Sequence, residues 1–183
     1  DKVMLGSPSH KVNFARLEAI AAAFTEAGIP TEATLEIGQF IWGKVFYNCC
    51  LNPLSALLEV TYGELSEHSE TRQIMTSVIG EIFAVAAAKG VVLAWRSPLE
   101  YQQILFGRLI PDTYAHQASM LQDVMRGNRT EIDALNGAIA RLGEETGVPT
   151  PVNSMLTQLI KVKERVGKRS VLPGSGRSSN GTV

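Results

Sequence analysis

The chain has 183 residues, 45% hydrophobic and 19% charged, the composition of a folded chain with one sizeable core rather than a disordered or fibrous one. Lysine and arginine number 17 against 18 aspartates and glutamates, a net charge of −1, which leaves no electrostatic footprint for nucleic acid or an anionic membrane. No run approaches the roughly 18 apolar residues of a membrane span, and a small anionic substrate would need only one local positive charge.

Residues 1–35 read as the end of an α/β unit. DKVMLGS is a short strand candidate, and Phe14, Leu17, Ile20 and Phe24 then repeat at helical spacing until Gly28 and Pro30 stop the helix. TEATLEI follows as a second short strand. One helix cannot cover both faces of such a sheet, so the segment is expected to depend on further chain. The start at Asp1, without methionine or signal peptide, suggests a piece of a longer protein.

From Glu36 the signals are helical, six or so helices over residues 36–166. The first runs through Trp42 to Leu54, with Pro53 expected to kink or interrupt it. A turn is expected at Tyr62-Gly63. Ser69 is the predicted cap of a helix with Ile74, Val78, Ile82 and Val85 inward, closed by Gly90. Ser97-Pro98-Leu99-Glu100 reads as a capping box with proline at the first helical position. Pro111-Asp112 is expected to open the helix carrying His116, Ser119 and Asp123. Thr130 and Asp133 make a box-like start for a stripe of Ile132, Leu135, Ile139 and Leu142. The last helix begins at Thr150-Pro151, with Met155, Leu156, Leu159 and Ile160 inward. Residues 167–183, rich in Gly, Ser and Pro, are expected to form a flexible tail. The fold class is therefore mainly α, a multi-helix bundle behind a short α/β remnant.

Chemistry concentrates in WGKVFYNCCLNPL. Lys44, Asn48 and Asn52 fall at i, i+4 and i+8 and drift only about 80° around a helix, so they line one stripe. An ammonium on a largely apolar helix is costly to bury unless something pairs with it, which makes it a candidate acid or anchor with amides to orient a ligand. The plainer alternative is that Lys44 snorkels to solvent and the asparagines cap or kink the helix. Glu131 is the best candidate counter-charge, expected at the first turn of its helix; helix-start electrostatics alone would also place a carboxylate there. Cys49 and Cys50 point about 100° apart on a helix and read as reduced core residues of a cytoplasmic protein. No histidine makes metal-ligand spacing with them, and no metal is expected.

A second stretch, HQASMLQDVMRGNRTEIDALNG, completes a pattern. Trp42, Lys44, Asn48, Asn52, Pro53 and Leu54, followed by Ser119, Met120, Gln122, Asp123, Thr130, Glu131, Ile132, Asp133, Asn136 and Gly137, resemble the C-terminal domain of ketopantoate reductase over roughly residues 1–165. The resemblance implies a C-terminal-domain bundle of the ketopantoate reductase and 6-phosphogluconate dehydrogenase type, with residues 1–35 as the tail of a dinucleotide-binding domain. It also implies NADP(H) as cofactor, a small 2-oxo acid as substrate, Lys44 as general acid, Glu131 as catalytic and substrate-binding carboxylate, and Asn48, Asn52 and Ser119 as substrate contacts. Asp123 and Asp133 match too, but capping and pairing account for both. A homodimer through the helical domain is a further expectation.

The G-x-G-x-x-G fingerprint is absent, so the cofactor-binding residues are expected outside this chain and the chain alone is expected to be inactive. Tyr62 and His116 stand where the family often has asparagine, which marks them as candidate specificity residues. Two alternatives stay open: a reductase of another 2-oxo acid, and a helical oligomerisation module without catalysis.

Overall fold

The structure, a computed structural model, describes residues 2–9 and 11–171. Strand β1 (Val3–Leu5), helix α1 (Phe14–Glu26) and strand β2 (Thr31–Ala33) form the first unit. The strands pair in parallel, Val3 opposite Thr31 and Leu5 opposite Ala33. Asn13 caps α1 by accepting from the Ala15 amide at 2.9 Å, and Gly28, at φ 85°, turns the chain back. The helix buries Leu17 and Ala21 only. Ile20 and Phe24 stay exposed, because two strands offer one helix little to pack against.

Helix α2 (Ile37–Leu58) is the axis of the rest, with Phe46, Cys49, Cys50 and Leu51 fully buried. Around it lie α3 (Tyr62–Glu67), α4 (Ser69–Ala88), α5 (Pro98–Ile104), a π-helical turn (Leu105–Leu109), α6 (Ile110–Asp112), α7 (Ser119–Met125), α8 (Asn136–Thr146) and α9 (Pro151–Val171). The chain is mainly α, as its periodicity indicated. Phe46 centres an aromatic cluster, its ring centroid 5.0 Å from Phe83, 5.6 Å from Trp95 and 4.7 Å from Tyr101. Gly43 admits the Trp95 indole, whose edge would lie 3.2 Å from a Cβ there. The buried cysteine thiols are pushed well above the ordinary thiol pKa by desolvation.

Several boundaries depart from the sequence reading. Tyr62-Gly63 is the start of α3 rather than a turn, set by a capping box between Thr61 and Glu64. Ser69 does not cap α4: His68 holds the cap position, and the Ser69 hydroxyl turns to the Glu70 carboxylate at 3.0 Å. At Ser97 the hydroxyl accepts from the Glu100 amide, but the Glu100 carboxylate reaches the Arg96 amide and not that of Ser97.

His116 is not helical. The Tyr62 amide donates to its carbonyl at 3.0 Å and the Gly63 amide to that of Tyr114 at 2.9 Å, so this loop satisfies the start of α3 and α7 begins only at Ser119. The Thr130 start also fails. Its amide and hydroxyl both donate to Glu164, residues 131–135 form successive turns, and α8 begins at Asn136. Glu131 therefore sits in a turn and not on a helix. On α9, Leu156 and Ile160 are buried, whereas Met155 and Leu159 are exposed and edge an apolar groove against Leu57 and Ile74. The tail expected from Gly167 falls largely outside the described residues; the α9 backbone is described through Val171.

Asp133 pairs rather than caps. It lies 2.5 Å from the Lys161 ammonium and 3.0 Å from Arg129, and these bonds, Lys161 first, hold its carboxyl below the usual carboxylate range. A depressed folded pKa gives stability that is complete above the unfolded value of about 3.9 and is lost as pH falls through the folded one. Asp133→Asn is expected to cost less than about 1 kcal/mol near neutrality, since the pair is partly exposed and screened by solvent. Urea unfolding should show the gap between variant and parent narrowing as pH falls below the unfolded value of about 3.9.

Candidate active site

Helix α2 presents Lys44 and Asn48 one turn apart because the intervening Val45, Phe46 and Tyr47 turn toward the core. The turn at 131–135 brings Glu131 over the same surface. It is pinned by the Leu135 amide donating to the Glu131 carbonyl at 3.1 Å and by the Gly137 amide donating to the Ile132 carbonyl at 2.9 Å. The three side chains line one cleft of about 560 Å³, with Met4 from β1, Ile37, Phe40 and Ile41 from α2, and Leu135 as apolar wall. Among the described residues, neither Lys44 nor Glu131 lies within 4.0 Å of an opposite charge, and the Asn48 amide makes no hydrogen bond. A cation, an anion and an amide thus face one apolar-walled space without partners. That arrangement can hold a small polar molecule and deliver or accept a proton.

Asn52, one turn beyond Asn48, is buried and does not line this cleft. Its Oδ1 accepts from the Tyr62 hydroxyl at 2.8 Å. Burial holds the Tyr62 phenol above its ordinary pKa, so it stays a neutral donor. Tyr62 stacks between Tyr47, edge-on at 5.7 Å, and the exposed His116 ring at 5.3 Å. Thr113 spends its one proton on the Leu109 carbonyl at 2.7 Å, so its oxygen must accept from the Tyr47 hydroxyl, also at 2.7 Å. Ser119 is exposed at the first position of α7 and is likewise not among the residues lining the cleft. The structure therefore brings Lys44, Asn48 and Glu131 together, and sets Asn52, Tyr62 and His116 in a separate polar-aromatic stack.

Lys2 also lines the cleft and pairs with Glu32 on β2. Nothing in its sequence context marked it, because its place depends on how the α/β unit leans on α2. Gly6 explains that lean: a Cβ there would meet the Ile37 Cβ at 2.3 Å and the Thr34 carbonyl at 2.8 Å. The same crowding means that Gly6, the glycine following β1, serves packing and leaves no open phosphate cradle. Among the described residues, this glycine therefore offers no dinucleotide site by itself. Among the described residues, no group of three or more His, Cys, Asp or Glu side chains could hold a metal, and no helix is long and apolar enough to cross a membrane.

A helical bundle thus leans on a parallel α/β unit, with its polar cleft against that unit. The chain belongs to the family described as "Ketopantoate reductase PanE/ApbA C terminal", which it matches over residues 36–164. A 2-dehydropantoate 2-reductase from Aquifex aeolicus is 45% identical over 164 residues, 90% of this chain and 53% of that protein. One from Pyrococcus horikoshii is 34% identical over 151 residues, 82% of this chain and 48% of that protein. Among solved structures, a PanE/ApbA family ketopantoate reductase from Ralstonia eutropha superposes with a TM-score of 0.77 at 33% identity, covering 92% of this chain and 53% of that one. A D-mandelate dehydrogenase with NADH and anilino(oxo)acetate gives 0.80 at 29% identity, covering 90% and 67%. The chain spans about half the length of the curated relatives it matches.

Proposed function

We propose that this chain is the C-terminal half of a cytoplasmic, NADPH-dependent 2-dehydropantoate 2-reductase, which reduces ketopantoate to (R)-pantoate on the way to pantothenate and coenzyme A. The observation that carries the reading is the cleft in which Lys44, Asn48 and Glu131 converge without protein partners. The 45% identity to a 2-dehydropantoate 2-reductase supports it. In the same reading, residues 1–35 belong to the dinucleotide-binding domain and residues 36–166 are the substrate domain.

No side chain supplies a hydride, so a reduced nicotinamide must do so. The chain's own share is the proton. Once a bound nicotinamide supplied the hydride, the C=O π pair would move onto oxygen, and the Lys44 ammonium would give that oxygen its proton, leaving a neutral amine and the product hydroxyl. Glu131 supplies the counter-charge and accepts from the hydroxyl, and Asn48 orients the carbonyl; Ser119, exposed outside the cleft lining, takes the substrate carboxylate only where the substrate extends beyond the cleft. Asn52 reaches substrate only on release from Tyr62, and otherwise holds the aromatic stack in place.

That stack motivates a second reading on the same fold. Tyr62 and His116, whose rings adjoin each other outside the cleft lining, stand where the family often has asparagine, so a different 2-oxo acid is the runner-up. The exposed stripe of Met155, Leu159, Val162 and Val166 on α9 suits a homodimer through the helical domain.

The test is steady-state NADPH oxidation by the full-length enzyme and by this chain alone, with 2-dehydropantoate and a panel of bulkier 2-oxo acids. Turnover is expected only from the full-length protein and fastest with 2-dehydropantoate. Preference for an aryl 2-oxo acid would select the second reading, and activity from the chain alone would overturn the division of labour.

A further inference from the structure

Pro53 lies inside α2 and has no amide hydrogen, so the Cys49 carbonyl four residues earlier loses its intrahelical donor. A buried carbonyl left this way needs another partner. It has one from a different helix: Asn136, the first residue of α8 and fully buried, donates through Nδ2 to the Cys49 oxygen at 3.0 Å. The same Nδ2 donates to Asn153 Oδ1 at 3.0 Å, and Asn153 Nδ2 donates to Glu81 Oε2 at 2.6 Å. Glu81 also accepts from the Val152 and Asn153 amides at the start of α9, at 2.8 and 2.9 Å.

The direction of this relay is fixed by chemistry. A carbonyl at one end and a carboxylate at the other can only accept, so both amides must present nitrogen toward the acceptors as drawn. The arrangement leaves Asn136 Oδ1 buried without a partner. A site selected for packing alone would not hold an amide with an orphaned oxygen, since an apolar side chain of similar shape avoids that cost. Its nitrogen must therefore matter where it points, and it points at the backbone next to Asn48. Asn136 itself closes the run of turns that begins at Glu131.

We propose that Asn136 is a positioning residue of the cleft: its amide replaces the hydrogen bond that Pro53 removes from α2, and so locks the turn bearing Asn48 against the turn bearing Glu131. The catalytic part of this inference rests on the reductase reading above, while the mechanical part does not. Two variants separate this role from a merely structural one. Asn136→Ala breaks both the repair of α2 and the tie to α8. Adding Pro53→Ala returns an amide hydrogen to Cys49 within α2, but leaves the tie broken.

The experiment uses the full-length protein, with hydrogen exchange, thermal unfolding and kinetics measured on parent, Asn136→Ala and the double variant. Asn136→Ala is expected to speed exchange in both 49–53 and 131–137, lower Tm, and reduce kcat by about 10²-fold, the scale of a misplaced reacting group, with KM for NADPH unchanged. The double variant is expected to recover Tm and protection in α2 but neither kcat nor protection at 131–137. Recovery of kcat in step with Tm would reduce Asn136 to a structural role. Unchanged exchange at 131–137 in folded Asn136→Ala would overturn the mechanical tie outright. If the parent reduces no 2-oxo acid, the reductase reading fails, and exchange alone still decides the tie. Should Asn136→Ala not fold, the double variant with its repaired helix supplies the comparison.

Discussion

Lys44→Ala in the full-length enzyme is expected to lower kcat by about 10²–10⁴-fold, the range that a positioned general acid contributes. Hydride addition leaves an alkoxide, and without the ammonium that charge must be met by water in a cleft walled by Met4, Ile37, Phe40 and Ile41. Lys44 is exposed and makes no ion pair among the described residues, so its removal strands no buried charge and the fold should survive. The loss should therefore appear in kcat with NADPH affinity nearly unchanged. Glu131→Ala should raise KM for the 2-oxo acid as well, because it removes a substrate contact along with the counter-charge. Steady-state NADPH oxidation on folded variants measures both. A kcat near the parent's for Lys44→Ala would take this residue out of the mechanism.

The largest effect on stability is expected at Phe46, two residues along α2 from Lys44. It has no exposed surface, and its ring touches Phe83, Trp95 and Tyr101 from three directions. Truncation to alanine removes the transfer free energy of the ring and leaves a void that three aromatic neighbours cannot fill together. Phe46→Ala is expected to cost about 3–5 kcal/mol. Urea titration should report this as a lowered midpoint with an unchanged slope, because the surface exposed on unfolding is nearly the same. A loss below about 1 kcal/mol would mean that the cluster closes over the gap. Retention of a folded population would also allow a second reading of α2, since its register against Trp95 helps to orient the Lys44 turn.

Local signals carried much of the architecture. The 3.6-residue spacing of Val78, Ile82 and Val85 and the Ser97-Pro98 start lie close to where the structure has α4 and α5. The spacing of Lys44 and Asn48 likewise needed only the geometry of one helix. The misplaced boundaries share a cause. The carbonyls of Tyr114 and His116 and the amide of Thr130, just ahead of the turns at 131–135, are held by partners distant in sequence: the first turn of α3 for the first two, and the Glu164 carboxylate for Thr130. Periodicity has no access to such bonds, so a helix was expected wherever apolar residues recurred. Asn52 illustrates the same limit within the stripe. Its spacing matches that of Asn48, but its exposure was decided by Tyr62, a residue on another helix whose depth no local pattern encodes. Lys2 entered the cleft through the packing of Gly6 on Ile37, a contact between two units rather than within one. Pro53 and Asn136 were both visible in the chain. What tied them was the carbonyl that proline leaves without a donor, which can be found by asking of each helical proline what its fourth predecessor then bonds.

The adjacent thiols of Cys49 and Cys50 give the protein a built-in clock. Only a thiolate attacks an alkylating reagent, and both sulfurs are dry and held protonated on α2, immediately after Asn48. Labelling of the native protein must therefore wait for that stretch of helix to swing open or unfold. With reagent in excess, the rate of mass gain counts those excursions. Whatever occupies the cleft beside Asn48 and holds the helix closed slows that count. Ligands can accordingly be ranked by protection of two native cysteines, without cofactor, turnover or any added probe.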